Sequence, residues 1–195
     1  DVESESIMPT EAWICCDSEV ELMVKNRAGN LQQMTLEEYL VGVVLAEMPA
    51  DFEIEALKAQ AVVARTYTRR RMDGGKHEAA AVCMDAGCCQ GYRSPEEYQE
   101  AGGKETAVEK VRRAVEDTDG LVLRYGGKLI DATYFSCSGG STEDAVAVWG
   151  QDVPYLQAVE SPGEEDAPRF TDSVGFSASE FADKLGLSSD GDPAG

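Results

Sequence analysis

The sequence predicts an α+β domain in which helices pack on antiparallel strands and hairpins, with one aperiodic insert. Three observations predict it. Short alternating runs bracket turn signals near residues 20–34 and 121–135. Two long helical stretches lie between them, and a Cys/His-rich segment at 77–89 has no clear period.

In chain order, residues 1–19 are acidic and weakly patterned and read as a loose arm. Residues 20–25 (VELMVK) read as a strand, 26–29 as its turn and 31–34 as the return strand. Thr35 with Glu38 forms a capping-box signature that opens a helix over 36–48, with Leu36, Tyr39, Leu40, Val43 and Val44 on its apolar face. Pro49 disfavours helix at the residue before it and ends the run. A second helix is predicted over 51–72, with acids at its start, Arg69, Arg70 and Arg71 at its end, and a small-residue stripe of Leu57, Ala61 and Ala64. Residues 97–116 read as helix in pieces, broken at Gly102-Gly103. Gly126-Gly127 turns a hairpin whose strands are 121–125 and 128–135. Residues 136–142 (SCSGGST) are a small-residue loop, and 149–159 read as a turn with a short strand. The expected organisation is the arm at 1–19, one domain over 20–187 with a metal-binding segment at 73–92, and a loose tail at 188–195.

Charge narrows the function. Formal net charge is −20, from 37 acidic and 17 basic side chains. Nucleic-acid binding needs a basic face, and attraction to an anionic membrane needs the same. No run approaches the eighteen or so apolar residues of a membrane span. The chain starts without Met and reads as a trimmed piece, so an anchor or signal is expected to lie outside it.

His77, Cys83, Cys88 and Cys89 follow the spacing His-x5-Cys-x4-Cys-Cys, and His77 is the only histidine. One imidazole and three thiols suit tetrahedral zinc, and four protein ligands leave no open position, so such a zinc would be structural. A disulfide among some of these thiols, or an unconnected set of cysteines, is the alternative. A nucleobase deaminase requires His-x-Glu and a distant Pro-Cys-x-x-Cys; both spacings fail here. With His77 on a metal no second histidine remains to act as a base, which argues against serine or cysteine hydrolysis.

Glu47 is the last acid of an otherwise apolar helix. Partial burial and the negative helix end would both raise its pKa and suit it to donate a proton; a helix-terminal Glu in water is the plain alternative. The loop at 136–143 offers hydroxyls, free amides and an acid, enough for a sugar or peptide to bind, or simply a turn.

The run MTLEEYLVGVVLAEMP at 34–49, then EALKAQAVVARTY at 55–67, resembles the stage II sporulation protein D family, as do YFSCSGGSTE at 134–143, Trp149-Gly150 and VPYL at 153–156. The resemblance covers roughly 34–160. The Cys/His insert is similar to the zinc form of clostridial members, with Cys88 standing where that form has its second histidine. It implies a peptidoglycan lytic transglycosylase acting on glycan strands stripped of peptide, working between mother cell and forespore beside a cell-wall amidase and a membrane scaffold of the engulfment machinery. Glu47 falls on the family's catalytic glutamate. Gln60, Arg65, Tyr67, Tyr134, Ser138, Gly139, Thr142 and Glu143 are expected substrate contacts, although Gln60 and Arg65 lie about 140° apart on a helix and at most one faces Glu47. The acidic surface does not assist a glycan bearing lactyl carboxylates. A noncatalytic glycan-binding amidase enhancer with the same domain is the second reading.

Overall fold

The computed structural model describes residues 16–167 and 170–186; most of the expected arm and the expected tail lie outside them. The chain is mixed α+β and divides at Tyr134/Phe135 into two compact units.

In the first unit, β1 (Glu21–Lys25) pairs antiparallel with β2 (Leu31–Thr35) and parallel with β3 (Val82–Cys83), so β1 is the middle strand. The capping box at Thr35 forms as the sequence predicts, its side chain accepting from Glu38 N while Glu38 reaches back to Thr35 N at 2.9 Å. Such a cap is worth about 1 kcal/mol. It launches α1 (Leu36–Glu47) straight out of β2.

The sequence predicts one apolar face for α1, but the helix is buried nearly all round. Val41 and Leu45 are interior alongside Leu36, Tyr39, Leu40, Val43 and Val44. The reason is its position: α2 (Ile54–Met72), α3 (Pro95–Glu100), α4 (Glu105–Glu116) and β2 all contact it. The small stripe of α2, Leu57, Ala61 and Ala64, is wholly buried and lets that helix pack closely. α3 and α4 are the two pieces expected around Gly102-Gly103.

A buried ion pair ties the N-terminal segment to this core. Asp17–Glu19, inside the stretch read as a loose arm, forms a short 3-10 helix with Asp17 buried. Arg65, fully buried on α2, donates from Nε to Asp17 Oδ2 at 2.5 Å. Its other nitrogens reach Thr118 Oγ1 and the carbonyls of Val115 and Leu121. Loss of one member of such a pair strands a buried charge, a cost of about 3–5 kcal/mol.

The hairpin at Gly126-Gly127 exists but is short, with β4 (Arg124–Tyr125) against β5 (Lys128–Leu129). The second unit holds α5 (Ala145–Trp149) and α6 (Ala178–Lys184). No strand forms within 149–159; just beyond it, Glu160 makes a single antiparallel bridge with Ser141.

Candidate functional site

Glu47 closes α1, half-buried, and lines an open cleft of about 710 Å³ between that helix end and the start of α4. Pro49 follows at once, so the chain turns away and leaves the carboxyl at the cleft wall. Gly91 N–H holds it, donating to Oε1 at 2.5 Å. The Tyr134 hydroxyl is a close neighbour: burial first, with the Glu47 charge adding, pushes that phenol well above its ordinary pKa, so it stays neutral beside the carboxyl.

Neither group stands alone. Gln90, almost fully buried, donates from Nε2 to Tyr134 Oη at 3.2 Å, and its Oε1 lies 2.9 Å from Thr68 Oγ1 and 3.4 Å from Tyr39 Oη. Tyr92 stacks on Tyr39 with centroids 5.9 Å apart, over Gly42 in the middle of α1. A Cβ at Gly42 would come within 2.2 Å of that ring, so only glycine admits it. Arg93 N–H then bonds Gly42 O at 3.0 Å. Residues 90–93 are thus pinned along α1, which aims the Gly91 amide at Glu47.

The same segment begins at the metal-ligand residues. His77, Cys83, Cys88 and Cys89 bring one ligand atom each to within 4.8 Å of one another and could hold a metal ion. Nε2 of His77 is 3.4 Å from Cys89 Sγ and 3.8 Å from Cys88 Sγ, and the two sulfurs are 4.0 Å apart. Around tetrahedral zinc those edges would be about 3.5–3.8 Å, given bonds near 2.3 Å to sulfur and 2.0–2.1 Å to nitrogen. The donor set fits. No disulfide joins the described cysteines, so the disulfide alternative finds no support. Strand β3 anchors Cys83 against Lys25, and Asp85 O receives the amides of both Cys88 and Cys89. Burial pushes the Cys83 thiol up to about 12, so it ionises only when a cation takes up the charge.

The other residues singled out in the sequence separate into groups. Tyr67 is buried beside Cys89, with the Arg71 guanidinium 4.8 Å over its ring, next to the candidate metal ligands rather than open to a sugar. Arg65 is sealed in its ion pair, so its expected role as a sugar contact gives way to a structural one. Gln60 is buried, and its Nε2 has no partner among the described residues. Tyr134 alone of the expected contacts in the first unit meets Glu47.

Ser138, Gly139, Thr142 and Glu143 form their own group in the second unit. Glu164, which the sequence does not flag, organises their loop: its carboxylate accepts from Ser138 N at 2.9 Å, Ser138 Oγ at 2.6 Å and Gly140 N at 2.8 Å. Those bonds, Ser138's foremost, hold its pKa down at about 2. Gly139 and Gly140 have φ of 81° and 105°, which only glycine adopts freely. Thr142 Oγ1 accepts from Val159 N at 2.8 Å, and Glu143 is exposed.

Gln90 and Gly91 are missed by sequence reasoning because they sit 43 and 44 positions from Glu47 with no shared period. The one available signal was their place immediately after Cys89.

Over 170 residues the chain is 40% identical to "Stage II sporulation protein D" of Bacillus subtilis (strain 168), a match covering 85% of this chain and 50% of that protein. Its counterpart in Bacillus amyloliquefaciens is 38% identical over 163 residues, 81% of this chain and 47% of that protein. The "Amidase enhancer" of Bacillus subtilis is 40% identical over 119 residues, 61% of this chain and 14% of the enhancer. The chain spans about half the length of the two sporulation proteins it matches. With the family model matching residues 24–125, the chain belongs to the stage II sporulation protein (SpoIID) family.

Proposed function

We propose that this domain is a peptidoglycan lytic transglycosylase acting during sporulation. The observation that carries the reading is Glu47: a half-buried carboxyl on a cleft wall, held by one backbone amide with a neutral phenol close by. The substrate is the β-1,4 bond between N-acetylmuramic acid and N-acetylglucosamine in strands free of peptide.

One carboxyl is used twice. Protonated Glu47 gives its proton to the glycosidic oxygen; the C1–O bond breaks and N-acetylglucosamine leaves with a hydroxyl. The muramic C6 hydroxyl then bonds C1, and its proton returns to the Glu47 carboxylate. The product is a 1,6-anhydro ring and the enzyme is restored. Glycosidases that use water pair two carboxyls. Here the nucleophile is tethered to the reacting carbon, and its high effective concentration removes the need for a second one. The Gly91 amide keeps the carboxylate aimed between the two half-steps.

Zinc is the ion best matched to one imidazole and three thiolates, and His77, Cys83, Cys88 and Cys89 would hold it. When bound it supplies a cross-link with no open coordination position. Through Cys88-Cys89-Gln90-Gly91 that link would fix the amide facing Glu47. An extracytoplasmic location, an anchor outside this chain, an amidase and a membrane scaffold as partners belong to the same reading.

A noncatalytic glycan-binding module that enhances an amidase is the second reading, favoured by the similarity to the amidase enhancer. Digestion of peptide-free glycan separates the two. The enzyme releases anhydromuramyl ends and its Glu47→Gln variant releases none; no anhydromuramyl product from the intact protein leaves the enhancer reading standing.

A further inference from the structure

The cleft at Glu47 is cationic in a chain that is strongly anionic. Its rim carries Arg93 on one side and, on the other, Lys104 at the N-cap of α4 and Lys110 midway along that helix. Apart from Glu47 the only acid lining it is Asp51. Three cations against one such acid reverse the 17-to-37 balance of the whole sequence. None of the three takes part in an ion pair with a described residue. Lys110 is turned into the rim by the carbonyls of Asp51 and Phe52, and Arg93 and Lys104 are exposed. Arg93 also borders a second hollow of about 410 Å³ that shares Ala46 with the cleft, so it lies where an extended ligand would cross from one to the other.

We propose that Arg93, Lys104 and Lys110 recognise the lactyl carboxylate of N-acetylmuramic acid and so select strands from which the peptide has been removed. The inference rests on the glycan reading above and deepens it. While a peptide is attached, the lactyl group is an amide, neutral and bulky; once it is cut away, each muramic residue carries one negative charge. A net charge of −20 repels such a strand at long range, so attraction must come from cations placed at the site itself. Guanidinium and ammonium groups free of ion pairs with described residues, two of them exposed, stand beside the reacting acid and meet that need, and Arg offers a fork that fits a carboxylate. Tyr98, lining the same cleft, gives a sugar face a ring to lie on.

Binding is measured on the full chain carrying Glu47→Gln, which blocks turnover. Three probes of matched length are used: peptide-free glycan, the same glycan with its carboxylates converted to methylamides, and a chitooligosaccharide that has no lactyl group. The peptide-free glycan binds best. Adding Arg93→Gln and Lys104→Gln weakens that probe about tenfold, the worth of one charge-assisted hydrogen bond, and leaves the two neutral probes unchanged. Equal binding of all three probes to the parent overturns the proposal, and this comparison needs no further variant to fold. Unchanged binding of the acidic glycan to the double substitution, or no binding of it at all, overturns it as well. The catalytic reading fails on a different result, absence of anhydromuramyl product, so the two failures are told apart.

Discussion

Gly91→Ala tests how closely the metal-linked segment controls Glu47. A Cβ built on Gly91 falls 2.9 Å from Glu47 Oε1, 3.4 Å from its Cδ and 3.5 Å from Ala46 Cβ. Contacts of this kind relax near 3.5 Å, so the carboxyl must retreat by about half an ångström. That movement also stretches the 2.5 Å bond from the Gly91 amide. Misplacement by about 1 Å can cost about a hundredfold in rate, and a hydrogen bond to a charge is worth about 1.5–3 kcal/mol. The expected loss in anhydromuramyl release is therefore between about tenfold and a hundredfold. Stability moves little, because Gly91 is not among the positive-φ glycines and the displaced group is the free end of a side chain. Loss of backbone freedom in the unfolded chain adds about 0.4–1 kcal/mol in favour of the variant. Turnover of peptide-free glycan and thermal unfolding are measured side by side. Full activity refutes the reasoning. So does a loss of activity matched by a fall in melting temperature, since that would be damage to the fold rather than to Glu47.

Removing metal by chelation raises hydrogen exchange across residues 76–91 and lowers activity, while the helical circular dichroism persists, because α1, α2 and α4 share a core built without the four candidate ligands, of which only Cys89 packs against it; a chelated protein with unchanged exchange there contradicts the proposed clamp. Metal retention also falls with decreasing pH, since the thiols must be deprotonated to bind. In the second unit, Glu164 has a folded pKa of about 2 against an ordinary 4.5, so its grip on Ser138 and Gly140 is complete above pH 4.5 and lost as pH falls through about 2. Amide exchange at Ser138 and Gly140 follows that window, and in Glu164→Gln the dependence disappears; an unchanged profile in the variant argues against the assignment.

What the sequence disclosed was local. Thr35 and Glu38 announce the start of α1 because a capping box involves only neighbours, and Pro49 stops the helix by its own sterics. The four candidate metal ligands were legible because their spacing lies within thirteen residues. Long-range partners were not. Arg65 reads as a substrate contact until Asp17, 48 positions upstream in an acidic stretch with no period, supplies its buried counter-ion. Val41 and Leu45 count as off-face by helical period, yet α1 is wrapped from several sides. The strand expected within 149–159 failed for lack of ladder partners, while Asp144 and the left-handed Gly150 bound a short helix that alternating Ala and Val had hidden. Arg93, Lys104 and Lys110 come from two segments, and only folding puts them on one cleft.

The claim on which all of this depends is that Glu47 moves the proton in glycan cleavage. Mass spectrometry of peptide-free strands digested by the intact protein and by Glu47→Gln measures it directly. Fragments 18 Da lighter than hydrolysis products, ending in anhydromuramic acid, from the intact protein and none from the variant, are the predicted result. Equal release by both proteins, or release of hydrated ends alone, contradicts it.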